Sequence, residues 1–192
     1  MPRLFTGIML PERLQPELLA FLPTNELLRL PQPGQLHLTL HFHGNLSDEQ
    51  TDALAARLPA VVGTPFQLRL ARTGIFEHQG GDRGVLWAGV ELSAPLQQLH
   101  TAVSRLLVDL ELPLESQPWV PHVTLARYTG GPLASAVQFL NRGQRLAAEY
   151  TVDAFQLMQS TPGPRGSVYR PRAVVRLREP GDCGSATAAG SS

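Results

Sequence analysis

The sequence predicts an α+β fold, with mainly antiparallel strands inside and helices outside. Three observations predict it. Short runs rich in Val, Phe and Leu, bounded by Gly or Pro, recur along the 192 residues. Longer segments between them carry apolar residues at helical spacing. A strand–turn–helix unit occurs twice, opening each time on a His-apolar-Thr-apolar tetrapeptide: His37-Leu38-Thr39-Leu40 and, 85 residues later, His122-Val123-Thr124-Leu125.

The strands fall at residues 3–10, 36–42, 65–71, 85–92, 122–127, 150–159 and 169–177. Pro11 opens a short helix through Leu14, Leu18 and Leu19. Ser47-Asp48-Glu49-Gln50 has the form of a capping box ahead of Leu54, Leu58 and Val61. Pro95 suits the first turn of a helix with the stripe Leu96, Leu99, Val103, Leu106, Leu107 and Leu110. Pro132 opens another, with Leu133, Ala136, Val137 and Leu140, and Gly143 as its stop. The chain length suits one domain or two small lobes sharing a core. We expect a single bilobal domain over residues 1–179, and a disordered C-terminal tail over 180–192, which has almost no large apolar side chain. If the halves are related by a pseudo-two-fold, the motif strands face each other across a central cleft.

Composition narrows the function. The apolar fraction is 43% and the charged fraction 17%, as in a soluble globular protein. No apolar run approaches the roughly 18 residues of a membrane span. Formal net charge is zero, so any nucleic-acid contact must come from a local patch; Arg69, Arg72, Arg83, Arg165, Arg170 and Arg172 are candidates for a rim. All 16 basic residues are arginines, which excludes a lysine nucleophile, a Schiff base or a lysyl-adenylate. One cysteine, Cys183, excludes an internal disulfide and makes a cytoplasmic protein the default. A monomer is expected, with no membrane or protein partner.

Side chains alternate along a strand, so each tetrapeptide sets an imidazole and a hydroxyl on one face. Two such units suggest a paired site: two groups for proton transfer and two hydroxyls to hold what lies between them. One histidine can act as base while its partner acts as acid. The threonines can donate to non-bridging phosphate oxygens, and an arginine would neutralise developing charge. Arg127 is the natural candidate, although in an ideal strand it lies on the face opposite His122. His37, Thr39, His41 and His43 share one face of an ideal strand, which leaves a second reading, a zinc-dependent hydrolase built on His37, His41 and His43. The simpler reading of His41 and His43 places them at the cleft or its rim. Trp87 is read as core, and His78 and His100 as a loop and a helix-surface residue. A third reading is a nucleotide- or RNA-binding module without turnover.

The chain also resembles a known family. Arg3-Leu4-Phe5 with Leu10-Pro11, the stretch Leu36-His37-Leu38-Thr39-Leu40-His41-Phe42-His43-Gly44, Gly74-Ile75-Phe76, Val85-Leu86-Trp87-Ala88-Gly89-Val90, Pro121-His122-Val123-Thr124-Leu125-Ala126-Arg127, and Ser160 followed by Tyr169 carry the likeness, in order, from Arg3 to Leu177. They resemble the 2H phosphoesterase superfamily, specifically the bacterial and archaeal RNA 2′,3′-cyclic phosphodiesterases, historically called 2′-5′ RNA ligases. Where the family often has a basic residue and then an aliphatic, this chain has His41 and His43.

The resemblance implies a bilobal fold with a pseudo-two-fold cleft and hydrolysis of an RNA or nucleotide 2′,3′-cyclic phosphate to a 2′-phosphate. It implies His122 as proton acceptor from water and His37 as proton donor to the departing 3′ oxygen. Thr39, Thr124 and Arg127 are the implied phosphate-binding residues. No cofactor or metal is implied. A reversible, ATP-independent ligation to a 2′-5′ linkage is implied as well, with a 5′-hydroxyl RNA in place of water. Phe5, Phe42, Trp119 and Tyr169 are candidates for stacking on a base.

Overall fold

A computed structural model describes residues 3–130, 134–164 and 166–178. The elements run β1 (Arg3–Met9), α1 (Gln15–Leu19, after a short 3-10 turn), β2 (Leu28–Arg29), β3 (His37–Asn45), α2 (Asp48–Arg57), β4 (Phe66–Glu77), β5 (Arg83–Val90), α3 (Ala94–Asp109), β6 (His122–Thr129), α4 (Ala136–Gly143), β7 (Ala147–Val152), β8 (Ala154–Gly163) and β9 (Gly166–Arg176).

The α+β expectation holds, and the strands form one sheet. Eight of them run in the order β7-β4-β5-β6-β3-β1-β8-β9, and β2 pairs separately with β6. Every pairing is antiparallel. The order is symmetric about the β6–β3 contact: each motif strand leads one half of four strands and is followed by a helix. The two halves are the lobes. They join through a single pairing, Leu38 with Val123. Beyond it the motif strands diverge, which opens a cleft on one face of the sheet.

The opposite face is the core. Leu38, Leu40, Val123 and Leu125 are fully buried there, with Leu68, Leu70, Leu86 and Phe155 from the flanking strands. Each such side chain contributes roughly 1.5–3 kcal/mol by leaving water. Two of the predicted helices, α2 and α3, form for the predicted reasons. Ser47 Oγ accepts from Gln50 N–H (3.1 Å) while Ser47 N–H donates to Gln50 Oε1 (3.0 Å), closing the capping box of α2. In α3 the buried stripe is Leu96, Leu99, Val103, Leu106 and Leu107.

Three readings need correction. The segment 150–159 is two strands in opposite lobes: β7 ends at Val152, β8 begins at Ala154, and Asp153 makes the break. The short β2 was not anticipated. In α4 the buried side chain is Phe139, while Val137 is 68% exposed. Pro132, Leu133, Arg165, Cys183 and the tail lie outside the described residues. Among the described residues no helix is long and apolar enough to cross a membrane.

Candidate active site

The Leu38–Val123 pairing falls at the middle of both tetrapeptides. In an antiparallel ladder it sets His37 beside Thr124 and Thr39 beside His122. Leu38 and Val123 point into the core, so the four polar side chains point together into the cleft. The cleft has a volume of about 890 Å³.

Both histidines are held the same way. His37 Nδ1–H donates to the carbonyl of Gln35 (2.7 Å), and His122 Nδ1–H donates to the carbonyl of Val120 (2.7 Å). A carbonyl only accepts, so Nδ1 keeps its proton and Nε2 is the nitrogen that titrates. Neutral, each Nε2 is a base; protonated, each is an acid. Aromatic rings flank both. Phe5 stacks on His37 at 4.6 Å between centroids, and Tyr169 meets it edge-on at 5.3 Å. Phe76 meets His122 edge-on at 5.0 Å, with Trp87 at 6.1 Å.

Burial lowers the His37 pKa below its usual value, and the nearby His122 and Arg127 charges lower it further, against the Gln35 hydrogen bond. Burial likewise lowers His122, and Arg127 adds to the effect, against the Val120 hydrogen bond.

Arg127 does reach the cleft, and a bulge explains how. Along β6 the partners on β5 step from Thr124–Trp87 to Ala126–Leu86, so Leu125 is the extra residue. Alternation slips by one, leaving Leu125 and Ala126 both buried and turning Arg127 to the side of His122 and Thr124. β3 carries the matching bulge: partners step from Thr39–Gly7 to His41–Thr6, with Leu40 extra. Leu40 and His41 are both buried, and Phe42 turns to the cleft at the position that mirrors Arg127.

The same slip separates His41 and His43 from His37, contrary to both readings of them. They are buried on the other side of β3, with 6% and 4% exposure, and neither lines the cleft or its rim. His43 Nε2 lies 2.7 Å from Thr6 Oγ. His41 Nε2–H donates toward the His100 carbonyl (3.2 Å) and lies 3.1 Å from Ser104 Oγ. His41, His100 and Trp119 stack in series, at 4.3 and 4.0 Å. Trp119 Nε1–H donates to the Thr39 carbonyl (2.9 Å), so it braces the motif strand from behind instead of lining the cleft. The His37/His41/His43 metal cluster is not assembled, and no group of three or more metal-ligating side chains occurs among the described residues.

Other residues came into the site unannounced. Trp87 is only partly buried and sits beside His122. Its indole covers Gly74, where a Cβ would meet the ring at 2.0 Å. Arg3 and Arg29 line the cleft; of the expected arginine rim no described member does. Arg69 and Arg172 are instead paired with Glu149 and Asp52. No sequence signal marks Trp87 as a site neighbour; its place follows from lying directly across the ladder from Thr124.

The fold and these four side chains define a class, a two-lobed α+β protein with paired His–Thr units about a pseudo-dyad. The model of the 2′-5′ RNA ligase superfamily matches residues 26–164. An RNA 2′,3′-cyclic phosphodiesterase of Thermus thermophilus is 33% identical over 189 residues, covering 92% of this chain and 90% of that protein. One from Aeropyrum pernix is 30% identical, covering 76% of this chain and 84% of that protein. The crystal structure of E. coli LigT with 3′-AMP superposes with a TM-score of 0.74 at 24% identity, over 93% of this chain and all of that one, and so shares the fold. The chain belongs to the 2′-5′ RNA ligase superfamily.

Proposed function

We propose that this chain hydrolyses RNA or nucleotide 2′,3′-cyclic phosphates to 2′-phosphates, using His122 as base and His37 as acid. The observation that carries the reading is the matched pair of Nδ1–H···O=C bonds at His37 and His122, which present two equivalent Nε2 atoms to one cleft. The names of the relatives support the substrate class.

In the scheme, neutral His122 Nε2 takes a proton from water as the water oxygen bonds to phosphorus. The P–O3′ bond breaks, and His37 Nε2–H delivers its proton to O3′. The 2′-phosphate leaves, and proton exchange with solvent resets the pair. Thr39 and Thr124 hydroxyls donate to the non-bridging oxygens, and the Arg127 guanidinium offsets the charge that builds on them. Replacing water by an RNA 5′-hydroxyl runs the same steps in the same direction: the O5′–P bond forms as P–O3′ breaks, which is 2′-5′ ligation without ATP, and its reverse cleaves that linkage. No step calls for a metal ion. A monomer in the cytoplasm agrees with a cleft built within one chain and with the single cysteine.

The test is turnover of an RNA oligonucleotide ending in a 2′,3′-cyclic phosphate, with EDTA present, by the intact protein, His37→Ala and His122→Ala. The expected product is a 2′-phosphate from the intact protein alone. Turnover that needs added zinc would overturn the two-histidine scheme, and tight binding without turnover would leave a binding module.

A further inference from the structure

The short strand β2 makes just two pairings, Leu28 with Tyr128 and Arg29 with Arg127. Directly opposed residues of an antiparallel pair carry their side chains on the same face, roughly 4.5–5.5 Å apart. Two guanidinium groups are therefore set side by side, and both line the cleft. Like charges in that position are destabilising. Three described arginines, Arg69, Arg172 and Arg176, meet a carboxylate within 3.2 Å. Arg29 and Arg127 meet none among the described residues. An opposed arginine pair without a carboxylate, at a cleft wall, is complementary to an anion shared between two planar forks.

The two arginines stand at different depths. Burial lowers the His37 and His122 pKa values and raises that of Tyr169; the Arg127 charge adds to the first two shifts and opposes the third, while Arg29 contributes to none. Arg127 thus belongs to the reacting centre, and Arg29 lies one strand further out. Leu30, Pro31 and Gln32 continue the cleft wall from Arg29. On the other lobe Arg3 also lines the cleft, but it faces Asn45 and Ser160 across its ladders and has no second cation opposite. The doubled positive charge is on one side only.

We propose that Arg29, joined to the reacting centre through Arg127, forms a second phosphate subsite for the phosphodiester on the 5′ side of the terminal nucleoside. This deepens the hydrolase reading of the same cleft and rests on it. The preferred substrate is then an RNA chain end rather than a lone nucleoside cyclic phosphate. One bound phosphate is to be hydrolysed, and the next holds the chain in register.

The test compares the intact protein with Arg29→Gln on a nucleoside 2′,3′-cyclic phosphate, its 5′-phosphorylated form, and a dinucleotide ending in the cyclic phosphate. The expected result is a kcat/KM ratio, dinucleotide over nucleoside, that falls about tenfold or more in Arg29→Gln, the scale of a lost charge-assisted contact. A similar fall for the 5′-phosphorylated nucleoside supports the subsite and shows that a free 5′-phosphate occupies it. An unchanged ratio, with or without a general loss of rate, would overturn it. Binding is measured in parallel with the unreactive products, a nucleoside 2′-phosphate and the dinucleotide bearing a terminal 2′-phosphate. Should the intact protein hydrolyse none of the substrates, the hydrolase reading fails. The ratio of these two affinities still decides Arg29: it drops in Arg29→Gln if the subsite exists and stays the same if it does not. Dinucleotide binding should also lose about 0.7 from its slope of log affinity on log salt, one phosphate contact's worth.

Discussion

β3 and β6 are alike on the cleft face and unlike behind it. In front, each presents His and Thr, each histidine is tied to the carbonyl two residues before it, and each strand bulges at the residue after the threonine. Past the bulge the likeness ends: β3 turns Phe42 to the cleft and β6 turns Arg127. On the core side β6 has Ala126 and Tyr128, whereas β3 has His41 and His43, supported by Ser104, His100 and Trp119 from α3 and the loop that follows. The pseudo-dyad thus duplicates a tethered imidazole and its threonine, and leaves charge, stacking and internal polarity to differ.

The largest expected effect tests the duplicated part. His37→Ala and His122→Ala should each lower kcat by about 10²–10⁴-fold, but with different pH dependence. Loss of the proposed base, His122, should remove the acidic limb of the kcat/KM profile, and loss of the proposed acid, His37, the alkaline limb. The opposite pattern would exchange the two roles.

Next comes the residue at which the lobes diverge. Arg127→Gln should lower kcat about 10–100-fold, less than an oxyanion-hole donor at full strength. It should also move the pH profile. Arg127 lowers both histidine pKa values, so its removal raises them and shifts the bell to higher pH. If the lobes were interchangeable, Phe42→Arg in that background would restore the rate; we expect it not to, because Arg29 stands opposite position 127 alone.

A smaller effect concerns stability. Burial holds the His43 pKa down to about 4, with the neighbouring His41 charge adding to it, and its Nδ1 has no partner among the described residues. Unfolded, the ring titrates near 6.5. Between these values the unfolded chain binds the extra proton, so stability is full above about pH 6.5 and falls as pH drops toward 4. The loss is at most about 3 kcal/mol from this group. Denaturant melts from pH 7 to 4 should show it, and His43→Gln should flatten the curve; an equal slope in both would refute the assignment.

The smallest effect probes the brace behind β3. Trp119→Phe removes the donor to the Thr39 carbonyl but keeps a ring against His100. We expect about 1 kcal/mol of lost stability and a change in kcat under about fivefold. A larger kcat effect would mean that this bond sets the position of Thr39.

The elements and the tetrapeptides were legible because each depends on local chemistry: a capping box, a first-turn proline, an apolar stripe. The cleft's remaining walls were not. A bulge is fixed by which residue of the neighbouring strand pairs with which, and nothing within Leu36–Gly44 or Pro121–Arg127 announces it. Strict alternation therefore sent Arg127 away from the site and His41 and His43 toward it, each error being one residue of phase. Arg29 was invisible for a related reason: a two-residue strand has no periodicity to detect, and its meaning comes from Arg127 across the ladder.

Leu40 and Leu125 show no chemistry of their own, yet each acts as a spacer that rewrites everything downstream. Were either strand to pleat regularly with its leucine kept in the ladder, inside and outside would exchange along the residues that follow, burying a guanidinium in one lobe and turning two imidazoles out in the other. The heritable unit of this site is therefore longer than the four letters by which it is recognised. A graft of His-x-Thr-x onto another strand would carry the acid and the base but leave the cation on the wrong side. The neighbour strand whose register skips the silent leucine would have to travel with the motif.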